Sequence, residues 1–390
     1  MFSKRNHAGR TWSFPVRLSC LVCLVCLACL VESCGTKGQR GKLPDMQVAY
    51  SPGYARGFSL YRSGDTTLLR VTDPWQFASG VKFDYILTSN ASPDALNEIK
   101  TPVTKAVCMS TTHVAFISAL GRTSSISGIS GLAHVSDSAV IAMGRENKIV
   151  DVGYDSNLSY ELIFSLSPDV VFAYGVQGEF SGIEKKLNEL GIKVVYFGEY
   201  TEDTPLGKAE WIVAMSVFFG EQQHAEDIFE RMEENYVNTE KLLENVEYRP
   251  KVMFNVPYRD TWYLPGTESY MAKFVRDAGA EYIYQDNRGR NSYPMSIEKA
   301  YDIAQNADFW LIGNPSKSLD ELKADDPRMT EIPAFKNKRI YNSNLRANDY
   351  GDDFWESGIV KPDIILKDLI RIFHPELVPK HEFYYYRHLN

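Results

Sequence analysis

The chain has 390 residues, of which 44% are apolar and 24% are charged, so there is enough apolar material for two packed domains of roughly 150 residues each. Its 42 Lys and Arg residues and 50 Asp and Glu residues give a formal charge of −8. This composition argues against a disordered or fibrous protein. It also argues against nucleic-acid binding, because a phosphate backbone requires a basic surface.

The first 33 residues have the pattern of a signal peptide. Basic residues precede an apolar stretch over residues 18–31, which is too short to span a membrane and has the length of a signal-peptide core. Four cysteines, Cys20, Cys23, Cys26 and Cys29, repeat every third residue there. An iron–sulfur role is disfavoured, because a leader is removed before it can hold a metal.

A cysteine follows this leader in a pattern that resembles a bacterial lipobox. The segment LVESC ends at Cys34, which would become the lipidated first residue; an ordinary signal peptide with an incidental cysteine is the alternative. Cleavage before Cys34 removes four basic residues and one acidic residue, which takes the formal charge from −8 to −11. We therefore expect residues 34–45 to be a linker from a lipid anchor that holds the protein on the periplasmic side of a membrane.

Residues 46–203 are predicted to form an N-terminal lobe that begins with antiparallel strands. Segments rich in Val, Tyr, Phe and Thr are separated by Gly, Pro and Asp, and they cover residues 46–50, 58–61, 67–72 and 83–88. From about Thr104, short apolar strands alternate with longer helical stretches. That alternation indicates βα units around a mostly parallel sheet.

The βα pattern occurs twice. The first copy has predicted strands over residues 106–109, 170–174 and 192–197 and helices over residues 113–120 and 160–166. The second copy has predicted strands over residues 251–256, 309–312 and 339–341 and a helix over residues 270–278. We predict an α/β fold with two Rossmann-like lobes, the second covering residues 248–390.

Residues 204–247, between the two copies, are predicted to be helical. Thr204 and Pro205 form an N-cap followed by proline at the first helical position, and apolar residues recur at spacings of three and four from Ala225 to Leu243. One helix of about 40 residues would reach roughly 60 Å and join the lobes stiffly. The alternative is two helices that are broken at Gly220.

Candidate ligand-binding residues follow the carboxyl ends of the predicted parallel strands, where such sheets bind ligands. Aromatic rings can stack on a flat ligand, and arginines can bind its anionic edges. The candidates are Ser110, Thr111, Thr112, Tyr174 and Tyr200 in the first lobe, and Tyr258, Arg259, Trp262, Arg288, Arg290, Tyr293, Arg346 and Trp355 in the second. The aromatic residues could also fill a core between the lobes, but the interleaved arginines favour a cleft, because a core rejects unpaired guanidinium groups.

Two pairs of motifs resemble the periplasmic substrate-binding proteins of ABC importers for ferric siderophores, haem and cobalamin. They are NLSYE with LSPDVV at residues 157–171, and SIE with ADFW at residues 296–310, while VCMSTTH at residues 107–113 resembles the version seen in Bacteroidota. The resemblance implies a class III fold, with two α/β lobes joined by one long interlobe helix and the ligand held between them. It also implies that Glu161 and Glu298 dock into arginine pockets of the permease dimer.

The two glutamates also have a physical argument of their own. One carboxylate in the first turn of equivalent helices gives two like charges held apart by rigid lobes, which could position a partner with matching arginines. The alternative is that both glutamates simply favour the positive end of a helix.

Direct metal binding and hydrolysis are both disfavoured by the sequence. Direct metal binding requires three or four clustered ligands, and His113 and His134 in the first lobe are too few. Ser110 with His113 could serve a chelate hydrolase, but no acid that orients the histidine is identifiable. We therefore predict a non-enzymatic, monomeric lipoprotein without a cofactor, whose ligand is a metal chelate such as a ferric siderophore, haem or cobalamin. The alternatives are a secreted lipoprotein enzyme on the same fold, such as a chelate hydrolase, and a protein that binds a metal ion directly.

Overall fold

The computed structural model describes residues 45–154, 157–175 and 181–390. The predicted signal peptide, Cys34 and nearly all of the predicted linker lie outside these residues. From Met46 onward the chain forms one compact unit. Within the described ranges, no helix combines the length and apolarity needed to cross a membrane.

An antiparallel meander begins this unit. Its strands are β1 (Gln47–Tyr50), β2 (Phe58–Ser63), β3 (Thr66–Thr72), β4 (Lys82–Thr88) and β5 (Glu98–Lys100), in that order across the sheet. The pairs are antiparallel up to β4, and β5 is parallel to β4. Leu60, Leu69 and Leu87 are buried, which gives the sheet one apolar face. The predicted N-terminal β region is confirmed.

A parallel sheet forms the core of the N-terminal lobe. Its strands are β6 (Ala106–Cys108), β7 (Ile126–Ile129), β8 (Val150–Asp151), β9 (Val170–Ala173) and β10 (Val194–Tyr196), in the spatial order β10-β9-β6-β7-β8. The helices are α1 (Thr111–Ala119), α2 (Ser138–Arg145), α3 (Tyr160–Leu166) and α4 (Ser181–Glu189). All residues of β6, β9 and β10 are buried, as expected for parallel strands that are covered on both faces.

The C-terminal lobe is built on a second sheet, in which four strands are parallel and the edge strand β17 (Arg387–His388) is antiparallel. Its strands are β11 (Lys251–Phe254), β13 (Glu281–Tyr282), β15 (Phe309–Ile312), β16 (Ile340–Asn342) and β17 (Arg387–His388), while β12 (Thr261–Leu264) and β14 (Tyr293–Ser296) form a separate antiparallel ribbon. The helices are α7 (Tyr270–Asp277), α8 (Ile297–Ala304), α9 (Leu319–Asp325), α10 (Pro333–Lys336), α11 (Asp353–Glu356) and α12 (Pro362–Phe373). The spatial order β13-β11-β15-β16 matches β7-β6-β9-β10 of the first lobe.

One repeated contact supports the duplication in detail. Asp169 precedes β9, and its carboxylate accepts a hydrogen bond from the Lys105 backbone N–H at 2.9 Å. Asp308 precedes β15, and its carboxylate accepts one from the Lys251 backbone N–H at 2.8 Å. The same aspartate thus ties the same two strands in each lobe. The two-lobed α/β architecture is confirmed, and the exact boundaries of the lobes stay a prediction.

Two helices, rather than one, follow the N-terminal lobe. Thr204 caps α5 (Pro205–Ser216), and α6 (Gln222–Glu240) follows after a turn in which Gly220 has a φ of 71°. Glycine adopts this left-handed conformation without the steric cost that other residues pay, so it ends the helix there. The single helix predicted over residues 204–247 is therefore wrong, and the alternative with a break at Gly220 is confirmed.

The second of these helices still connects the lobes. On α5, Trp211 packs inside the N-terminal lobe, with its ring centroid 5.1 Å from that of Phe58. On α6, Glu233 accepts a hydrogen bond from the Tyr54 hydroxyl at 2.6 Å, and Tyr236 donates one to Asp277 of α7 at 2.7 Å. Helix α6 therefore contacts both lobes and connects them.

Candidate functional site

A pocket of about 630 Å³ lies between the two lobes. The N-terminal lobe contributes residues 73 and 75–78 of a loop, together with residues 200–203 and Lys208. The C-terminal lobe contributes the start of α7, residues 290–292 and Trp355. The volume is within the range of about 300–1,000 Å³ that is usual for small-molecule sites. This pocket is the candidate ligand cleft.

Three of the residues predicted from the sequence line the cleft. Tyr200 follows β10, and its hydroxyl contacts the carbonyl oxygen of Gly175; burial raises the pKa of Tyr200. Arg290 forms an ion pair with Asp203, with 2.7 Å between the guanidinium Nε and the carboxylate oxygen, so it joins the C-terminal lobe to the N-terminal lobe. The side chain of Trp355 is 52% exposed at the cleft.

Four predicted residues of the first lobe lie at the same sheet edge but do not line the pocket. Ser110 caps α1 by accepting a hydrogen bond from the Thr112 backbone N–H at 3.2 Å, and the Thr112 hydroxyl donates to Glu199 at 2.6 Å. Thr111 begins α1, and Tyr174 directly follows β9; both are partly buried.

The other predicted residues of the second lobe are elsewhere. Trp262 is 1% exposed and donates to the Phe254 carbonyl oxygen at 2.9 Å, because the inner face of β12 packs on the core; it lies away from the cleft. Arg346 pairs with Asp353 at 2.5 Å and lines a separate pocket of about 290 Å³. The remaining four, Tyr258, Arg259, Arg288 and Tyr293, are exposed and are not part of the pocket lining.

Sequence reasoning missed several residues that line the cleft, chiefly Trp75, Phe77, Lys208 and Tyr270. Lys208 Nζ donates to the Tyr200 carbonyl oxygen at 2.9 Å and lies 4.7 Å from the centroid of the Tyr270 ring. Burial lowers the pKa of Lys208 to about 8, although nearby carboxylates, led by Glu199, oppose the shift. A lysine within the otherwise apolar segment PLGKA was an available signal for a functional cation.

His113 is an interior residue. It lies at the start of α1, fully buried, with its ring centroid 5.5 Å from that of Phe197. Burial lowers the pKa of His113 and so favours the neutral ring. The Ser110 hydroxyl contacts the Thr112 hydroxyl at 2.8 Å, so the hydrolase alternative gains no support from this geometry.

The described residues offer no set of metal ligands. Across residues 45–154, 157–175 and 181–390, no group of three or more His, Cys, Asp or Glu side chains could hold a metal ion. His134, the other histidine considered, contacts the backbone oxygen of Tyr350 through Nδ1 at 2.6 Å. Cys108 is buried, and burial raises the pKa of its thiol.

The two predicted docking glutamates occupy equivalent places. Glu161 is the second residue of α3, which Ser159 caps, and Glu298 is the second residue of α8, which Ser296 caps. Both glutamates are exposed. Hydrogen bonds from its own backbone N–H and from Ser296 lower the pKa of Glu298, which keeps its carboxylate charged.

Known proteins resemble this chain in sequence and in fold. A model of the periplasmic binding protein family matches residues 107–344. An uncharacterized lipoprotein of Methanocaldococcus jannaschii is 30% identical over an alignment of 331 residues, gaps included, which covers 78% of this chain and 76% of the relative.

Two solved structures share the fold. A periplasmic binding protein from Veillonella parvula covers 80% of this chain and 99% of its own length, with a TM-score of 0.58 and 16% identity. A periplasmic haem-binding protein from Pseudomonas aeruginosa covers 70% of this chain and 93% of its own length, with a TM-score of 0.54 and 16% identity. Together with the two-lobed architecture and the cleft between the lobes, the family match shows that this chain belongs to the periplasmic binding protein family.

Proposed function

We propose that this protein is a lipid-anchored, non-enzymatic substrate-binding protein, which captures a metal chelate in the interlobe cleft and delivers it to an ABC permease. The observation that carries the proposal is the composition of the cleft. Aromatic side chains and one cation from each lobe, Lys208 and Arg290, line a single pocket of about 630 Å³. A ligand there would contact both lobes at once.

The chemistry of the lining favours a ligand with flat or conjugated parts and anionic edges. Tyr270 and Trp355 offer ring surface at the cleft, with 6.5 Å between their ring centroids. Lys208 can form charge-assisted hydrogen bonds to carboxylate or catecholate oxygens, and Arg290 can do so with the N–H groups that its ion pair with Asp203 leaves over. Catecholate siderophores and haem combine a metal with such groups, and cobalamin combines a metal with a conjugated ring and a phosphate. That one structural neighbour is a haem-binding protein agrees with this class of ligand.

Lipid anchoring and permease docking complete the proposal. A relative named as a lipoprotein supports an anchor at Cys34, on the periplasmic side of a membrane. Glu161 and Glu298, which are exposed in equivalent helices, are the proposed contacts with the permease dimer.

A binding titration tests the proposed cleft. The Arg290→Gln variant removes a cation from the pocket, so we predict about tenfold weaker binding of haemin or ferric enterobactin, measured by quenching of intrinsic fluorescence. Arg231→Gln is the matched control, because Arg231 is exposed on α6 and outside the pocket lining. Equal affinities for both variants and the wild-type protein would place the ligand elsewhere.

A further inference from the structure

The loop between β3 and β4 covers residues 73–81, and none of its residues was among the ligand-binding residues predicted from the sequence. It is nine residues long, whereas hairpin loops usually have two to five residues. It also precedes residue 107, where the match to the family model begins. Yet five of its residues, 73 and 75–78, line the interlobe cleft. Long ordered loops of this kind are often functional.

The loop is fixed to the sheet edge where the N-terminal lobe opens into the cleft. Trp75 packs on Gly175, which follows β9; a Cβ atom at Gly175 would lie 2.6 Å from the Trp75 ring. Pro74 packs on Gly198, which follows β10, and a Cβ atom there would lie 2.9 Å from the Pro74 Cα. The Trp75 ring centroid is also 5.4 Å from that of Tyr196. Any larger residue at either glycine would displace the loop.

Hydrogen bonds close the base of the loop. The Asp73 backbone N–H donates to the Val81 carbonyl oxygen at 2.9 Å, and the Val81 backbone N–H donates to the Asp73 carboxylate at 2.9 Å. Further along, the Gln76 backbone N–H donates to the Tyr200 hydroxyl oxygen at 3.3 Å. The loop is therefore an ordered wall of the cleft.

Phe77, in the middle of this loop, combines an exposed side chain with a strained backbone. Its side chain is 77% exposed, and its φ of 67° lies in the left-handed region, which bulky residues avoid. Because the ring is exposed, packing in the core does not offset the free-energy cost of this backbone strain. Such strain is typical of residues that are retained for ligand contact. Trp355 of the opposite lobe is likewise exposed at the same pocket.

We propose that the loop over residues 73–81 is a specificity element of the cleft, in which Phe77 stacks on an aromatic or macrocyclic face of the bound chelate. The inference rests on the proposed function, because it assumes that the ligand binds in the cleft. It narrows the ligand class to chelates with a conjugated face, such as catecholates or tetrapyrroles, over purely aliphatic hydroxamates. An aliphatic chelate offers Phe77 no ring to stack on.

The test compares three probes on the full chain: haemin, ferric enterobactin and ferrichrome, whose hydroxamate groups are aliphatic. Phe77→Ala is predicted to weaken binding of haemin and ferric enterobactin by about 2- to 12-fold, the usual contribution of one aromatic contact. Binding of ferrichrome is predicted to change by less than about twofold. Phe77→Gly, which also relieves the backbone strain, should give the same pattern and shows that loss of the ring is the cause.

Phe164→Ala is the matched control, because Phe164 is an exposed phenylalanine on α3 outside the pocket lining. Unchanged affinity of Phe77→Ala for both aromatic probes, alongside weaker binding by Arg290→Gln, would overturn the inference and leave the proposed function standing. A wild-type protein that binds ferrichrome but neither aromatic probe would also overturn the inference. A wild-type protein that binds none of these three probes and no cobalamin would overturn the proposed function together with the inference.

Discussion

Glu210 lies in the middle of α5 with a side chain that is only 1% exposed. Its carboxylate accepts hydrogen bonds from the backbone N–H groups of Gly53, Tyr54 and Ala55 at 2.6–2.8 Å and from the Tyr50 hydroxyl at 2.7 Å. A buried charge is tolerated because every one of these donors points at it. Glu210 therefore fastens the N-terminal meander to the first linking helix.

Removal of the Glu210 carboxylate should destabilise the folded protein. We predict that Glu210→Ala lowers the free energy of unfolding by about 3 to 5 kcal/mol, because it leaves the donors of the 53–55 segment without an acceptor. Urea denaturation measures the change, and Glu210→Gln should lose less, since it keeps one acceptor oxygen. Glu230→Ala, at an exposed position on α6, should stay within about 0.5 kcal/mol of the wild-type protein. Equal loss in Glu210→Ala and Glu230→Ala would contradict the role of Glu210.

The sequence predicted residue roles only in part. The buried carboxylate of Glu210 was not predicted, because its donors are more than 150 positions earlier in the chain. Tyr200, Arg290 and Trp355 were found because they follow strand ends or flank glycine-rich loops. Trp262 was predicted to line the cleft but lies in the core. Residue type alone does not distinguish an aromatic residue in the cleft from one in the core.

At the scale of elements, α11 of the C-terminal lobe meets the start of α2 in the N-terminal lobe. The buried Glu356 carboxylate accepts hydrogen bonds from the backbone N–H groups of Ser136 at 2.7 Å and Asp137 at 2.8 Å. Burial raises the pKa of Glu356 to about 7; these two hydrogen bonds oppose the shift, and the charges of Asp353 and Asp137 add to it. This contact fastens the two lobes at a place away from the cleft lining.

The raised pKa predicts a pH dependence of stability. Because the pKa in the folded state lies above the ordinary 4.5, the folded protein binds this proton more tightly than the unfolded chain does. The resulting stabilisation is fully present below about pH 4.5 and is lost as the pH rises through 7. We predict that the free energy of unfolding of the wild-type protein, relative to Glu356→Gln, falls by on the order of 3 kcal/mol between pH 4.5 and 7.5.

Urea unfolding at a series of pH values measures this difference. Glu247→Gln, at an exposed glutamate, should follow the pH dependence of the wild-type protein. A wild-type protein and a Glu356→Gln variant whose unfolding free energies differ by the same amount at every pH would show that Glu356 does not titrate in this way.

Elements with strong local signals were predicted closely. Helix α3 and strand β15 have the predicted bounds, because a serine cap or a short apolar run after an aspartate marks their ends. Strand β17 was missed, because the C-terminal segment depends on a distant partner. The fully buried Asp368 carboxylate accepts hydrogen bonds from the backbone N–H groups of Tyr384, Tyr385 and Tyr386.

Across the two lobes, we propose that ligand capture and ligand delivery use different surfaces. The cleft would bind the ligand, whereas the exposed carboxylates of Glu161 and Glu298 would register the loaded protein on the permease. We predict that the double variant Glu161→Ala with Glu298→Ala keeps its ligand affinity within about twofold and loses transport.

Uptake of the labelled chelate by cells, together with a binding titration of the purified variant, checks this separation. The control is the double variant Glu230→Ala with Glu244→Ala. It removes two exposed charges, one from α6 and one from the segment after it, and it should transport normally. Loss of ligand binding in the Glu161/Glu298 variant would show that these residues support the cleft rather than the docking surface.

The most direct test is the mass and stoichiometry of the ligand after incubation with the full chain. We predict one metal chelate per protein molecule, recovered with its mass and absorbance spectrum unchanged after prolonged contact. Recovery of a hydrolysed or otherwise altered chelate, in amounts that exceed the protein, would contradict it and would indicate an enzyme built on this fold.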